Sequence, residues 1–126
     1  MDTRKDFILR EIQKFASLLQ AFIKQKPSQE NVEVFINEFC ISNFNVTLES
    51  ILEKLTTEIV SIIENHNVEN LKDFADILTI KLSFENDTEK KSQLLKIIID
   101  LLKTYQFKTQ TYSLDIQSKI IEFEKN

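Results

Sequence analysis

Apolar side chains recur along this chain at alternating spacings of three and four, the period of an α-helix, in one segment after another. Ile8, Ile12, Phe15, Leu19 and Phe22 build a first stripe, with Arg10, Lys14, Ser17, Gln20 and Lys24 on the other side, which predicts a helix over about 3–25. Pro27 closes it, because a proline disfavours helical backbone at Lys26. Ser28 is a good N-cap for a second helix over about 29–42, with Glu30 in its first turn and a stripe of Val32, Phe35, Ile36 and Phe39. Thr47 caps a third helix reaching about Glu64, where Leu48, Ile51, Leu52, Leu55, Ile59, Ile62 and Ile63 keep the helical period. Asn65-His66-Asn67 breaks the pattern, with Asn65 suited to a left-handed terminator and Asn67 to the next N-cap. A fourth helix over about 68–84 carries Leu71, Phe74, Ala75, Leu78 and Leu82, and a fifth over about 89–107 carries Leu94, Leu95, Ile98, Leu101, Leu102 and Tyr105. Ser113 caps a short last helix with Ile116, Ile120 and Phe123. No segment alternates with period two between turn signals, so the expected fold is all-α with about six helices.

The second and fourth helices align at an offset of 39 residues: Glu30 with Glu69, Asn31 with Asn70, Val32 with Leu71 and Phe35 with Phe74. The third and fifth align at an offset of 43, pairing Ile51 with Leu94, Leu52 with Leu95, Leu55 with Ile98 and Ile59 with Leu102. Residues 28–64 and 67–107 therefore read as two copies of one helical hairpin in a single domain, with 1–26 and 113–125 as capping helices. The second unit resembles a degenerate tetratricopeptide hairpin, with Phe74, Ile77, Leu78, Leu94 and Ile97 at that family's apolar spacings. It departs from the family where Leu78 replaces a small residue, Lys81 an aromatic and Lys90 an alanine. That resemblance implies an α-α superhelix and carries over no peptide-binding residues. The opening Asp6-Phe7-Ile8-Leu9-Arg10-Glu11-Ile12 and the late Leu101-Leu102 with Thr111-Tyr112-Ser113-Leu114-Asp115 resemble the end motifs of an uncharacterised family of small bacterial all-helical proteins. This second resemblance implies a fold and no chemistry.

Composition narrows the function classes. The 126 residues include no glycine and one proline. Phosphate-cradling loops, EF-hand loops and nucleophile elbows all need glycine where backbone must turn sharply or approach a ligand. Left-handed backbone is expected at Asn65 alone, the other turns being made by Ser, Thr, Asn and Pro at helix ends. Cys40 is the only cysteine, so no intrachain disulfide forms. No apolar signal-like run opens the chain and Ile97-Ile98-Ile99 is far too short to span a bilayer, so a reducing, cytoplasmic setting without membrane contact is expected. Asn45-Val46-Thr47 and Asn86-Asp87-Thr88 read as loops leading into helices rather than glycosylation sites.

The net charge of −4 is uneven: residues 1–26 carry six bases and three acids, and residues 27–64 carry seven Glu against Lys54. This is not a nucleic-acid-binding balance, and complementarity between the first helix and the acidic second and third accounts for it most simply. His66 has no local partner for acid–base work, Cys40 lies between Phe39 and Ile41 like a core residue, and one Cys with one His cannot make a zinc site. Glu69/Asp73/Asp76 and Glu85/Asp87/Glu89 read as solvated acidic faces, although Asp73 and Asp76 share a helix face on which a hard cation could sit. No cofactor, metal or catalytic residue is expected. The expected function is a non-enzymatic helical scaffold binding another protein or itself, with Arg10, Lys14, Lys24, Tyr105, Phe107 and Tyr112 as candidate partner-binding residues. The alternatives are a thiol-dependent enzyme or redox sensor using Cys40, or a regulator touching nucleic acid through the basic face of the first helix.

Overall fold

Short polar caps set most helix starts. The computed structural model describes the backbone of residues 3–54, 56–64 and 68–125, and side chains from Arg10 onward within those ranges, Thr56 and Glu64 apart. Among the described residues there are seven helices and no strand: α1 (Thr3–Ile23), α2 (Gln29–Phe44), α3 (Leu48–Glu53), α4 (Thr56–Glu64), α5 (Glu69–Ser83), α6 (Thr88–Thr109) and α7 (Leu114–Glu124). None of them is long and apolar enough to cross a membrane. Ser28 Oγ accepts from the Asn31 N–H at the start of α2, Thr47 Oγ1 from Ser50 N–H at α3, and Ser113 Oγ from Ile116 N–H at α7. Asp87 Oδ1 accepts from the N–H groups of Glu89 and Lys90 and caps α6. Both sequon stretches thus lead into helices.

The single helix expected over 47–64 is two. Lys54 is extended (φ −82°, ψ 157°) and its N–H returns to Ile51 O at 3.2 Å, ending α3 one turn and a half after it starts. The break lets α3 bury Leu48 and Ile51 against α2 and α6, while α4 turns to place Ile59, Val60 and Ile63 against α5 and α6. Thr56 and Thr57, β-branched with competing hydroxyls, offer little resistance to a break there. The side chains of Ile8, Leu55 and His66, and the predicted Asn65 and Asn67 caps, lie outside the described residues.

Left-handed backbone, expected at Asn65 alone, occurs at three other positions among the described residues. Lys26 (φ 55°), Asn45 (φ 57°) and Gln110 (φ 58°) all adopt it. At the ends of α2 and α6 this conformation aims the Asn45 and Gln110 N–H groups at Ile41 O and Gln106 O, satisfying carbonyls that the helix leaves open. With no glycine in the chain, the β-carbons of Lys26 and Gln110 take that strain, at about 1 kcal/mol each.

α5 and α6 pack antiparallel as the central pair, and α1, α2, α3, α4 and α7 surround them. α1 lies most extensively on α5 and secondarily on α2, while α7 rests on α6. A seam of rings joins α1 and α2 to the centre: Phe15–Phe39 stacks at 4.1 Å between centroids, Phe15–Phe35 at 5.1 Å and Phe22–Phe35 at 4.8 Å. Phe44 then meets Phe39 and Phe74 edge-on. Each such pair adds roughly 0.5–1.5 kcal/mol to its area burial. The seam holds α1 and α2 together by their inner faces.

Candidate functional site

The sequence-nominated residues occupy two separate surfaces and one buried position. Lys14 is exposed on the outer face of α1, Lys24 is exposed in the turn that follows it, and Arg10 is exposed one turn before Lys14. The charge complementarity expected inside the chain is not how Lys14 and Lys24 are used: among the described residues, no ion pair joins either to an acid of α2 or α3. The ring seam explains this, because α1 and α2 meet through phenylalanines and turn their charged faces outward.

Tyr105 is buried, and its hydroxyl donates to both carboxylate oxygens of Glu69 at 3.0 Å, tying the last turns of α6 to the first turn of α5. Burial, and then the adjacent Glu69 carboxylate, raises the ionisation of this phenol above its ordinary value. Phe107 is 71% exposed, Tyr112 67% and Leu114 86%, on either side of the left-handed turn at Gln110. Three large apolar groups in eight residues thus form a corner between α6 and α7.

Cys40 is 0% exposed, and burial pushes its thiol up to about 12, which favours the neutral form. Asp73 is half-buried; burial, then the neighbouring Asp76 and Glu69, raises its carboxyl against the opposing Lys72 and the hydrogen bond of Gln13. Asp76 is engaged by Lys119 of α7 at 3.7 Å, and Lys119 also reaches Asp115 at 3.7 Å. Among the described residues, no three Cys, His, Asp or Glu side chains converge as metal ligands. A cleft of about 530 Å³ lies between α1, α5, α6 and α7, floored by Ile80 and Leu102 and rimmed by Gln20, Asp76, Lys119 and Phe123.

The expected solvated face at Glu85/Asp87/Glu89 is in fact split. Glu85 is buried, and its Oε1 receives the Lys81 ammonium at 2.6 Å, the two side chains being 3% and 1% exposed. Its Oε2 accepts from Gln29 Nε2 at 3.0 Å, Asn86 N–H at 3.2 Å and Asp87 N–H at 3.1 Å, while Asn86 Nδ2 donates to Gln29 Oε1 at 2.7 Å. The network clamps the start of α2 to the α5–α6 loop. Its signal in the sequence is Lys81 itself, seven residues after Phe74 and three after Leu78 on the apolar stripe, with an acid four residues on. A lysine at a core position needs a buried counter-charge. The clamp is structural: the Lys81 ammonium and both Glu85 oxygens are taken up by hydrogen bonds within it. No known protein family, curated protein or solved structure matches the chain.

Proposed function

We propose that this chain is a non-enzymatic interaction protein that binds another protein or itself. Its frame is read as a pair of helical hairpins, α2 with α3–α4 and α5 with α6, packed in tetratricopeptide-like fashion, with α1 laid on α5 and α2 and with α7 on α6. Support for the stacking comes from α2 lying on α5 and α4 lying on both α5 and α6. The observation that carries the functional reading is the Phe107–Tyr112–Leu114 corner. Large apolar groups fixed on helix ends and left in water are the usual anchors of protein interfaces. The buried Cys40 thiol weighs against a thiol enzyme, and the acidic balance of the chain against nucleic acid.

The test compares the wild-type chain with Phe107→Ser/Tyr112→Ser in a pull-down from the native lysate and in light scattering. Either a protein captured by the wild type and lost from the double variant, or a wild-type mass above the monomer that the variant lowers, supports the reading. Identical behaviour of the two proteins in both assays would overturn it.

A further inference from the structure

Between Ile12 and Ser28 the chain carries three lysines, Lys14, Lys24 and Lys26, and no acid; between Gln29 and Glu53 it carries five glutamates and no base. The helices of these stretches are neighbours, yet their ring seam points the charges away from each other. The solvent side of α1 presents Lys14, Leu18 and Ala21, with Lys24 in the turn just past its end, all exposed. The solvent side of α2 presents Glu30, Val34, Glu38 and Ile41, all exposed. Leu18 at 52% and Val34 at 55% are large apolar groups that the fold leaves in water. Each face is built alike: a charge, an apolar side chain four residues on, and a second charge beyond it.

We infer that two copies of this chain pair by laying the outer face of α1 from one copy on the outer face of α2 from the other. The helical rise sets Lys14 and Lys24 about 15 Å apart and Glu30 and Glu38 about 12 Å apart, a difference that flexible lysine stems absorb. With the two helices running in the same direction, Leu18 meets Val34 while Lys14 meets Glu30 and Lys24 meets Glu38. Like faces repel, so α1 pairs with α2 and neither helix pairs with its own counterpart. This pairing rests on the self-binding form of the function proposed above and uses a surface other than the Phe107–Tyr112–Leu114 corner. Exposed ion pairs are individually weak and screened by salt, so the association is concentration-dependent and salt-labile.

Sedimentation equilibrium of the whole chain tests this. At roughly 0.02 M salt, where screening acts only beyond about 20 Å, the weight-average mass rises with concentration above the monomer value of 14.8 kDa; at about 0.5 M salt it returns to it. Lys14→Glu/Lys24→Glu and Glu30→Lys/Glu38→Lys each stay monomeric alone, and a 1:1 mixture of the two associates again, since each variant's reversed face then meets its complement. Far-UV circular dichroism confirms that both variants are folded. A monomer at low salt, an association that survives either charge reversal, or a mixture that stays monomeric overturns the inference. Association that both charge reversals leave intact and Phe107→Ser/Tyr112→Ser abolishes overturns it too, while leaving the proposed function standing.

Discussion

Removing either partner of the Lys81–Glu85 pair destabilises the protein more than removing both charges together. The Glu85 carboxylate takes one ammonium and three neutral donors, from Gln29, Asn86 and Asp87. Lys81→Met keeps the side-chain volume but leaves a buried carboxylate without its counter-charge; Glu85→Gln leaves the buried ammonium facing an amide. Breaking a buried pair in this way costs about 3–5 kcal/mol, a large part of the roughly 5–15 kcal/mol that holds a domain folded. In Lys81→Met/Glu85→Gln no charge is buried and the amide oxygen still accepts from the loop, so the loss falls to about 1–2 kcal/mol. The pH dependence carries its own sign. Burial alone raises the Glu85 carboxyl, but the Lys81 hydrogen bond, the Asp87 N–H and the charges of Lys81 and Lys90 outweigh it and hold the group below the usual carboxylate range. In the wild type that contribution is complete above the ordinary value and is lost as pH falls through the depressed one. Without Lys81 the burial prevails, the carboxyl moves up, and acid relieves the strain of the variant. Urea unfolding followed by circular dichroism, at pH 7 and about pH 4.5, reads both effects. Single-variant losses below about 1 kcal/mol, a double variant as damaged as the two singles summed, or a gap between wild type and Lys81→Met that does not narrow in acid would refute the reasoning.

The buried thiol of Cys40 reacts slowly with a disulfide reagent in the folded protein and at the rate of a free thiol after denaturation; equal rates in the two states would contradict its placement. Gln110→Gly removes a β-carbon from a left-handed position and stabilises the chain by about 1 kcal/mol, seen as a higher urea midpoint with an unchanged slope, whereas Gln110→Val lowers the midpoint.

What the sequence shows well is what a few neighbouring residues decide. The caps at Ser28, Thr47 and Ser113 depend on one side chain and an N–H three residues away, and all three stand where the pattern puts them. The all-helical class follows from stripes such as Leu94, Ile98, Leu101 and Tyr105, whose period no strand could use. The break at Lys54 is invisible by the same logic. Leu48, Ile51, Ile59 and Ile63 stay in helical phase across it, and only the demands of α2 on one side and α5 on the other separate α3 from α4. The left-handed ends at Lys26 and Gln110 escaped for a related reason: neither residue type signals φ > 0, and chain reversal imposes it.

The candidate surfaces divide along the same line, and Tyr105 with Phe107 shows how. Two residues apart on one helix they point some 200° away from each other, so a stripe that buries Tyr105 must turn Phe107 outward. Composition alone groups the two as aromatics near a break; the helical period separates a phenol that ties α6 to Glu69 from a ring that folding does not use. The charges obey the opposite rule. A basic helix followed by an acidic one suggests mutual neutralisation, and in sequence that is the economical reading. For Lys14 and Lys24 the rings of Phe15, Phe22, Phe35 and Phe39 overrule it, because ring burial decides which faces of α1 and α2 meet and long charged side chains follow wherever water remains. Lys14 and Lys24 on one side and Glu30 and Glu38 on the other are thereby left facing water, where burial of the rings costs nothing in charge.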